Sequence, residues 1–164
     1  MSMSYEIKHD AITEAEELAL IEEIHRHSWS SAIARPTQHY GYIYNYLTAK
    51  VGPKLSKPLP SFIEQLRDRF YPSADQFIVN LYRPGEGITD HMDSPVFHDK
   101  VMSLSLGGDC LFYIDGKEIH LKRRDLLIMN DRVIHGLRGR KTDTIDGKRV
   151  SRVTRTSITF RKVK

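Results

Sequence analysis

A chain of 164 residues with 40% apolar and 28% charged side chains is too balanced to be disordered and too short for two ordinary domains, so one folded domain over 1–164 is expected. The lone cysteine, Cys110, excludes an internal disulfide, no apolar run reaches the roughly 18 residues of a membrane span, and residues 1–10 lack a signal-peptide core; an intracellular protein, cytoplasmic or nuclear, is expected. The net charge of +4 is uneven: residues 1–116 carry 10 Lys/Arg against 16 Asp/Glu and residues 117–164 carry 15 against 5, a bias that either suits a polyanion or is a solvated basic face.

In chain order, Thr13-Glu14-Ala15-Glu16 reads as a capping box with Ile12 placed to staple the turn, and Leu18, Ile21 and Ile24 follow at near-helical spacing, so a helix runs to about His25. A second helix follows Pro60, with Phe62, Ile63, Leu66 and Phe70 on one stripe, and Pro72 stops it. From Gln76 the period changes to two, with strand-like runs at 76–82, 101–106, 110–115, 118–121, 125–129 and 155–163. Pro84-Gly85, Gly107-Gly108 and Asp115-Gly116 separate them, the last being a hairpin signal. Residues 138–152 read as one long basic, irregular loop. The expected fold is mainly β, an antiparallel sandwich or small barrel buttressed by N-terminal helices.

His91-Met92-Asp93 puts an imidazole and a carboxylate on one face of an extended backbone. His135, 42 residues further on, can return beside them in a β-rich fold. Two histidines and a carboxylate on one side of an ion leave the other positions open, the geometry of Fe(II) oxygenases. By itself the pair also fits a solvent-facing ion pair, a satisfied core histidine or part of a zinc site.

In the last run Arg155, Ser157, Thr159 and Arg161 alternate with Ile158 and Phe160. Such a face lines an anion pocket, where guanidinium suits a carboxylate, or belongs to a charged edge strand. Asn80 and Tyr82 likewise share a face opposite Phe77, Val79 and Leu81, either toward a ligand or toward solvent.

Taken in order, Asn80-Leu81-Tyr82, His91-Met92-Asp93, His135-Gly136 and the Arg155/Arg161 pair resemble the N-x-Y, H-x-D, distal histidine and R-x(5)-R motifs of the AlkB family of Fe(II)/2-oxoglutarate dioxygenases. Supporting stretches such as Ser103-Leu104-Ser105-Leu106-Gly107 look alike too. The likeness runs from about Arg35 to Lys162 and is strongest to the AlkB-like domain of the tRNA wobble-uridine hydroxylase.

The resemblance implies a double-stranded β-helix, a jelly-roll-like core. It implies Fe(II) on His91, Asp93 and His135, with His98 and His120 as bystanders, and 2-oxoglutarate and O2 as co-substrates. Arg155 would clamp the distal carboxylate with Tyr82, while Asn80 and Arg161 would sit at the metal-proximal end. An alkyl C–H is then oxidised, with demethylation if it belongs to an N-methyl group.

The implied substrate is alkylated nucleic acid, RNA or DNA. The alternative is a protein side chain such as methylated histone lysine, and a silent binding module is disfavoured because the ligand and arginine positions are all filled. The flap over the substrate would be the run 39–46, with Tyr40, Tyr42, Tyr44 and Tyr46 as a row of phenols, or simply half-buried strand residues. Arg140, Lys141 and Arg149 of the basic loop would hold phosphates at the active-site rim. Ser94-Pro95 stands where DNA-repair members carry acidic residues, which speaks against 1-methyladenine and 3-methylcytosine. A monomer that touches no membrane is expected.

Overall fold

A computed structural model describes residues 4–164 apart from 46, 47, 49, 55, 56 and 131. The elements are β1 (Tyr5–Lys8), α1 (Glu14–His25), β2 (Thr37–Asn45), β3 (Lys50–Lys54), α2 (Ser61–Phe70), β4 (Gln76–Tyr82), β5 (Ile88–His91), β6 (Lys100–Leu106), β7 (Cys110–Ile114), β8 (Lys117–Leu121), β9 (Leu126–Asn130), β10 (His135–Leu137), β11 (Thr142–Ile145), β12 (Lys148–Ser151) and β13 (Arg155–Arg161). Seven strands form one sheet in the order β1-β9-β6-β13-β4-β2-β3, four form a second in the order β5-β10-β7-β8, and β11-β12 is a separate hairpin. The described strand pairings are antiparallel.

Alternation along the central strands of the large sheet divides the side chains between two environments. Phe77 and Val79 of β4, Met102, Leu104 and Leu106 of β6, and Ile158 and Phe160 of β13 are buried together with Ile24 of α1 and Phe62, Ile63 and Leu66 of α2. Each such side chain contributes about 1.5–3 kcal/mol of burial. The intervening residues turn toward the small sheet, where Tyr82, Val101, Leu127 and Met129 pack with Phe112, Ile114, Leu121 and Leu137.

The hairpin between β7 and β8 turns at Asp115 and Gly116, both with positive φ of 45° and 83°, which the Asp-Gly pair accommodates readily. The same pair recurs in the segment 138–152. Expected to be an irregular loop, that segment contains the β11–β12 ladder, which turns at Asp146 and Gly147 with φ of 51° and 77°. Its strands were hidden because Thr142-Asp143-Thr144-Ile145 lacks an apolar stripe.

Two other expectations are corrected here. The helices do not precede the strands as a block: β1 comes before α1 and pairs with β9, and β2 and β3 lie between α1 and α2. The row of phenols in β2 is broken at Gly41, whose φ is 78° and where a Cβ would stand 2.1 Å from the Asp75 carbonyl oxygen. Tyr40 therefore packs on the helix side against Phe62, Tyr44 faces Phe97 in the cavity, and Tyr46 lies outside the described residues.

On α1 the capping box is formed, with Thr13 and Glu16 bonding reciprocally to backbone N–H groups. The apolar stripe is displaced, however: Leu18 is 58% exposed, while Glu17 is fully buried. The Glu17 carboxylate accepts from Arg123 at 2.7 and 3.1 Å, from Arg124 at 3.1 Å and from the Gly107 N–H at 2.9 Å. It thus pins the helix to two turns of the sheet.

Burial works to raise the Glu17 pKa, but the Arg123, Gly107 and Arg124 donors outweigh it and hold the carboxyl below its ordinary 4.5. A depressed folded pKa stabilises above the unfolded value and is lost as pH falls through the folded one. Glu17→Gln is expected to cost about 2–4 kcal/mol at pH 7, at the lower end for a buried pair because Arg123 is 44% exposed. Urea unfolding across pH 7 to 3 should show that this cost shrinks below pH 4.5, since the wild type then loses the same carboxylate.

Candidate active site

The two facing sheets enclose a cavity of about 610 Å³. Arg155, Ser157, Thr159 and Arg161 of β13 all line it, as do Asn80 and Tyr82 of β4, Ser103 of β6, Phe112 of β7 and His135 of β10. The polar face read from β13 therefore points inward, and β13 is central rather than an edge, since β4 and β6 pair with it on either side.

His91 and His135 are direct cross-strand partners in the β5–β10 pair, and their ring centroids lie 4.4 Å apart. Asp93 lies just past the end of β5, in non-strand backbone. One ligand atom from each of the three residues lies within 4.8 Å of the others. His91 Nδ1 is 2.7 Å from the Thr89 carbonyl and His135 Nδ1 is 3.0 Å from the Val133 carbonyl. A carbonyl only accepts, so both Nδ1 atoms carry the proton and both Nε2 lone pairs are left for an ion.

Asp93 is held from the other side. Its Oδ2 accepts from Arg161 Nε at 2.6 Å, while Oδ1 lies 3.5 Å from His135 Nε2. Burial of this carboxylate would raise its pKa, and the adjacent Arg161 more than offsets that, so it stays below the ordinary value and remains charged. Burial pushes the His135 pKa down against the pull of Asp93, which favours the neutral, ligating imidazole. The donor set, two imidazoles and one carboxylate, fits a divalent first-row ion with open positions.

At the far end of the cavity Arg155 is 4% exposed. One terminal nitrogen donates to Ser105 Oγ at 2.9 Å, and its guanidinium carbon lies 5.6 Å from the Tyr82 ring centroid and 6.0 Å from that of Phe112. Its Nε has no hydrogen-bond partner, and no described carboxylate pairs with it. A buried cation in that state fits a carboxylate-bearing ligand.

Asn80 lies opposite Ser157, which in turn lies opposite Ser105, so a row of polar groups crosses β4, β13 and β6 beside Arg155. Arg35, not singled out in the sequence, also lines the cavity and donates from Nε to Asn80 Oδ1 at 2.9 Å. Its only sequence signal was its place just before Pro36 and β2. Ser103 and Ser105 of β6 and Phe112 of β7 were likewise missed as site residues, because their strands looked like ordinary alternation.

The sequence-derived substrate residues separate. Tyr44 lines the cavity; Tyr42 does not and lies beside Lys54 instead. No residue of 138–152 lines it either. Arg140 pairs with Glu118 at 2.7 Å, Lys141 packs against Gly85, and Arg149 is exposed on β12. Arg152 is buried and bidentate to Asp143, and Arg138 bridges to Asp90. His120 pairs with Asp109 and His98 lies outside the cavity.

The geometry predicts that His91→Ala, Asp93→Ala and His135→Ala each weaken Co(II) or Fe(II) uptake by more than the roughly 10- to 100-fold that loss of an outer partner costs. Arg161→Ala, which frees the second Asp93 oxygen, should fall within that 10- to 100-fold range. His98→Ala and His120→Ala should bind as wild type. Titration of the apoprotein followed by the visible absorption of Co(II) measures all six.

The profile of the 2OG-Fe(II) oxygenase superfamily matches residues 3–161. The chain is 33% identical to an uncharacterized protein of Acanthamoeba polyphaga mimivirus, over 97% of this chain and 84% of that one. It is 30% identical to the tRNA (carboxymethyluridine(34)-5-O)-methyltransferase ALKBH8 of Macaca fascicularis over 94% of this chain, and it spans only 30% of that protein's length. Over 94% of this chain and 83% of the relative it is 27% identical to the probable RNA/DNA demethylase ALKBH6 of Danio rerio.

Among solved structures, the fold is shared with OsALKBH1, at a TM-score of 0.69 and 16% identity with 99% of both chains covered. It is shared also with a 2OG-Fe(II) oxygenase family oxidoreductase of Burkholderia pseudomallei, at 0.65 and 14%, covering 96% of this chain and 83% of the other. The cavity with its His-Asp-His group accords with the Fe(II), 2-oxoglutarate and O2 that this superfamily uses. The chain belongs to the 2OG-Fe(II) oxygenase superfamily and is an AlkB-like dioxygenase.

Proposed function

We propose that residues 1–164 act as one intracellular catalytic domain with a double-stranded β-helix core, and that it oxidises an alkyl group on nucleic acid, RNA or DNA. His91, Asp93 and His135 hold the iron. Arg155, with Tyr82 and Asn80, holds 2-oxoglutarate, and Arg161 stands at the metal-proximal end. The observation that carries this reading is the buried, acid-free guanidinium of Arg155, placed in the same cavity as the three ligand residues. A dicarboxylate spanning the two would satisfy both ends at once.

When bound, iron and 2-oxoglutarate supply the oxidation: O2 is consumed, the co-substrate leaves as succinate and CO2, and a substrate C–H becomes C–OH. An N-methyl group oxidised in this way is lost as formaldehyde. The chain contributes position and dryness. Phe97, Phe112, Ile78 and Met129 wall the cavity. The Nδ1–carbonyl bonds aim both imidazoles, and Arg161 keeps Asp93 ionised.

Nucleic acid as the substrate class is supported by the tRNA and RNA/DNA activities for which the ALKBH8 and ALKBH6 relatives are named and by the basic C-terminal third. Within 138–152, Arg138, Arg140 and Arg152 are engaged in ion pairs. Phosphate contacts from this hairpin therefore fall to the exposed Lys141, Lys148 and Arg149.

Arg155→Ala should weaken 2-oxoglutarate binding by roughly 10- to 1,000-fold, since a charge-assisted pair is lost and a carboxylate is stranded. Arg155→Lys should rescue it only in part, lacking the planar fork. Calorimetric titration of the metal-loaded protein with 2-oxoglutarate reads both, and unchanged affinity in Arg155→Ala would remove the anchor role.

For the substrate, single-stranded RNA and DNA binding is measured across a salt series by fluorescence anisotropy. Lys141→Ala/Arg149→Ala is expected to reduce the salt slope by roughly 0.7 for each phosphate contact removed, while substrate-free 2-oxoglutarate turnover is retained. Absence of wild-type binding to either polymer at low salt would shift the reading to a protein side chain.

A further inference from the structure

The charged groups lining the cavity are unequal in number: three guanidinium groups, Arg35, Arg155 and Arg161, face a single carboxylate, Asp93. Arg161 is matched by Asp93. Arg155 is matched, on the proposed reading, by the distal carboxylate of 2-oxoglutarate. Arg35 is left over. Among the described residues no acid pairs with it, and it donates from Nε to Asn80.

That bond fixes where the charge sits. Asn80 is buried and lies on β4, paired on both sides by β2 and β13. With Nε held at 2.9 Å and the guanidinium carbon 5.7 Å from the Tyr82 ring, the two terminal nitrogens are left to serve the cavity. Ile33 and Ala34, which precede Arg35, line the same wall, and Met92, 56% exposed, lines the cavity as well. A substrate group entering past these side chains meets a planar, positively charged donor pair.

We infer that Arg35 is a specificity-determining residue: it selects an alkylated base that is neutral and offers an oxygen acceptor, and it rejects a base that carries a positive charge. This rests on the nucleic-acid reading above. A guanidinium donates in a fixed fork, so a carbonyl oxygen on the base edge is a good partner and a protonated or quaternised ring is not. Two like charges roughly 6 Å apart at an effective dielectric constant near 20 repel enough to cost on the order of 100-fold in affinity. With Ser94 following Asp93, no acid there offsets that repulsion.

The test uses two bases of nearly the same shape. 3-Methyluridine is neutral with a carbonyl at C4; 3-methylcytidine is cationic with an amino group there. Single-stranded RNA oligonucleotides of one sequence, each with one of these bases at the same place, compete at equal concentration for the iron- and 2-oxoglutarate-loaded enzyme, and mass spectrometry weighs the demethylated products. Within one reaction any effect on 2-oxoglutarate binding cancels from the ratio.

Wild type is expected to favour 3-methyluridine by at least tenfold. Arg35→Lys should keep the direction of the preference, Arg35→Gln should bring the ratio near unity, and Arg35→Glu should reverse it. A parallel anisotropy titration of each oligonucleotide and its unmodified counterpart reads the same order in binding. A wild-type ratio near unity, or a ratio that Arg35→Gln and Arg35→Glu leave unchanged, overturns the inference while the nucleic-acid reading stands. If the wild type neither binds nor demethylates either oligonucleotide, the nucleic-acid reading falls and takes the inference with it.

Discussion

The arrangement depends on the two-residue period of β13. This strand is central in the seven-stranded sheet, so neither of its faces meets solvent: Ile158 and Phe160 go under the helices, and Arg155, Ser157, Thr159 and Arg161 go into the cavity. A register slip of one residue would put two guanidinium groups into the apolar layer and two apolar side chains into the pocket. The ladders to β4 and β6 on both sides prevent this, and they place Tyr82 opposite Arg155 and Asn80 and Ser105 opposite Ser157. The chemistry of the pocket is therefore a by-product of sheet pairing.

Arg152 and Arg155, which are buried, and Arg161, which is half-buried, have different electrostatic situations. Arg152 is saturated by Asp143 and by the Arg138 carbonyl, and serves to attach the β11–β12 hairpin to the small sheet, where Asp143 also accepts from the Leu111 N–H. Arg161 has an acid partner, Asp93, that is one of the three proposed ligand residues. Arg155 has only a serine and two rings. A buried ion pair adds little net stability, so the first two are well explained by placement of neighbouring groups. The third is costly to fold without a ligand, and that cost marks it as functional.

Much of this was legible in the chain. The runs at 76–82, 101–106 and 155–163 lie within a residue or two of β4, β6 and β13, because a strand buried on both faces still alternates when one face is polar. His91, Asp93 and His135 could be picked out because their chemistry is restrictive. Less legible were elements whose signal is non-local. β10 has three residues and exists only through its partners β5 and β7. β1 alternates Tyr5 and Ile7 with polar residues but is four residues long. Glu17 looked like a solvent-facing helix residue, since its partners Arg123 and Arg124 are more than a hundred positions away. Charge counting over 138–152 likewise overstated the free cations, half of which are paired within the fold.

The pairing of His91 with His135 has a consequence for how the molecule holds together. β5 is an edge strand of four residues, joined to its sheet only through the three-residue β10, with an irregular register between His135 and Leu137. An ion held by one histidine from each strand, as proposed, would act there as a cross-link, closing a seam that few backbone hydrogen bonds secure. Because a ligand that binds only the folded state adds RT ln(1 + [L]/Kd) to stability, the firmness of this seam would, on the proposed reading, follow the surrounding concentration of ferrous ion. The strand pair would then behave as a clasp that tightens or loosens with the iron supply.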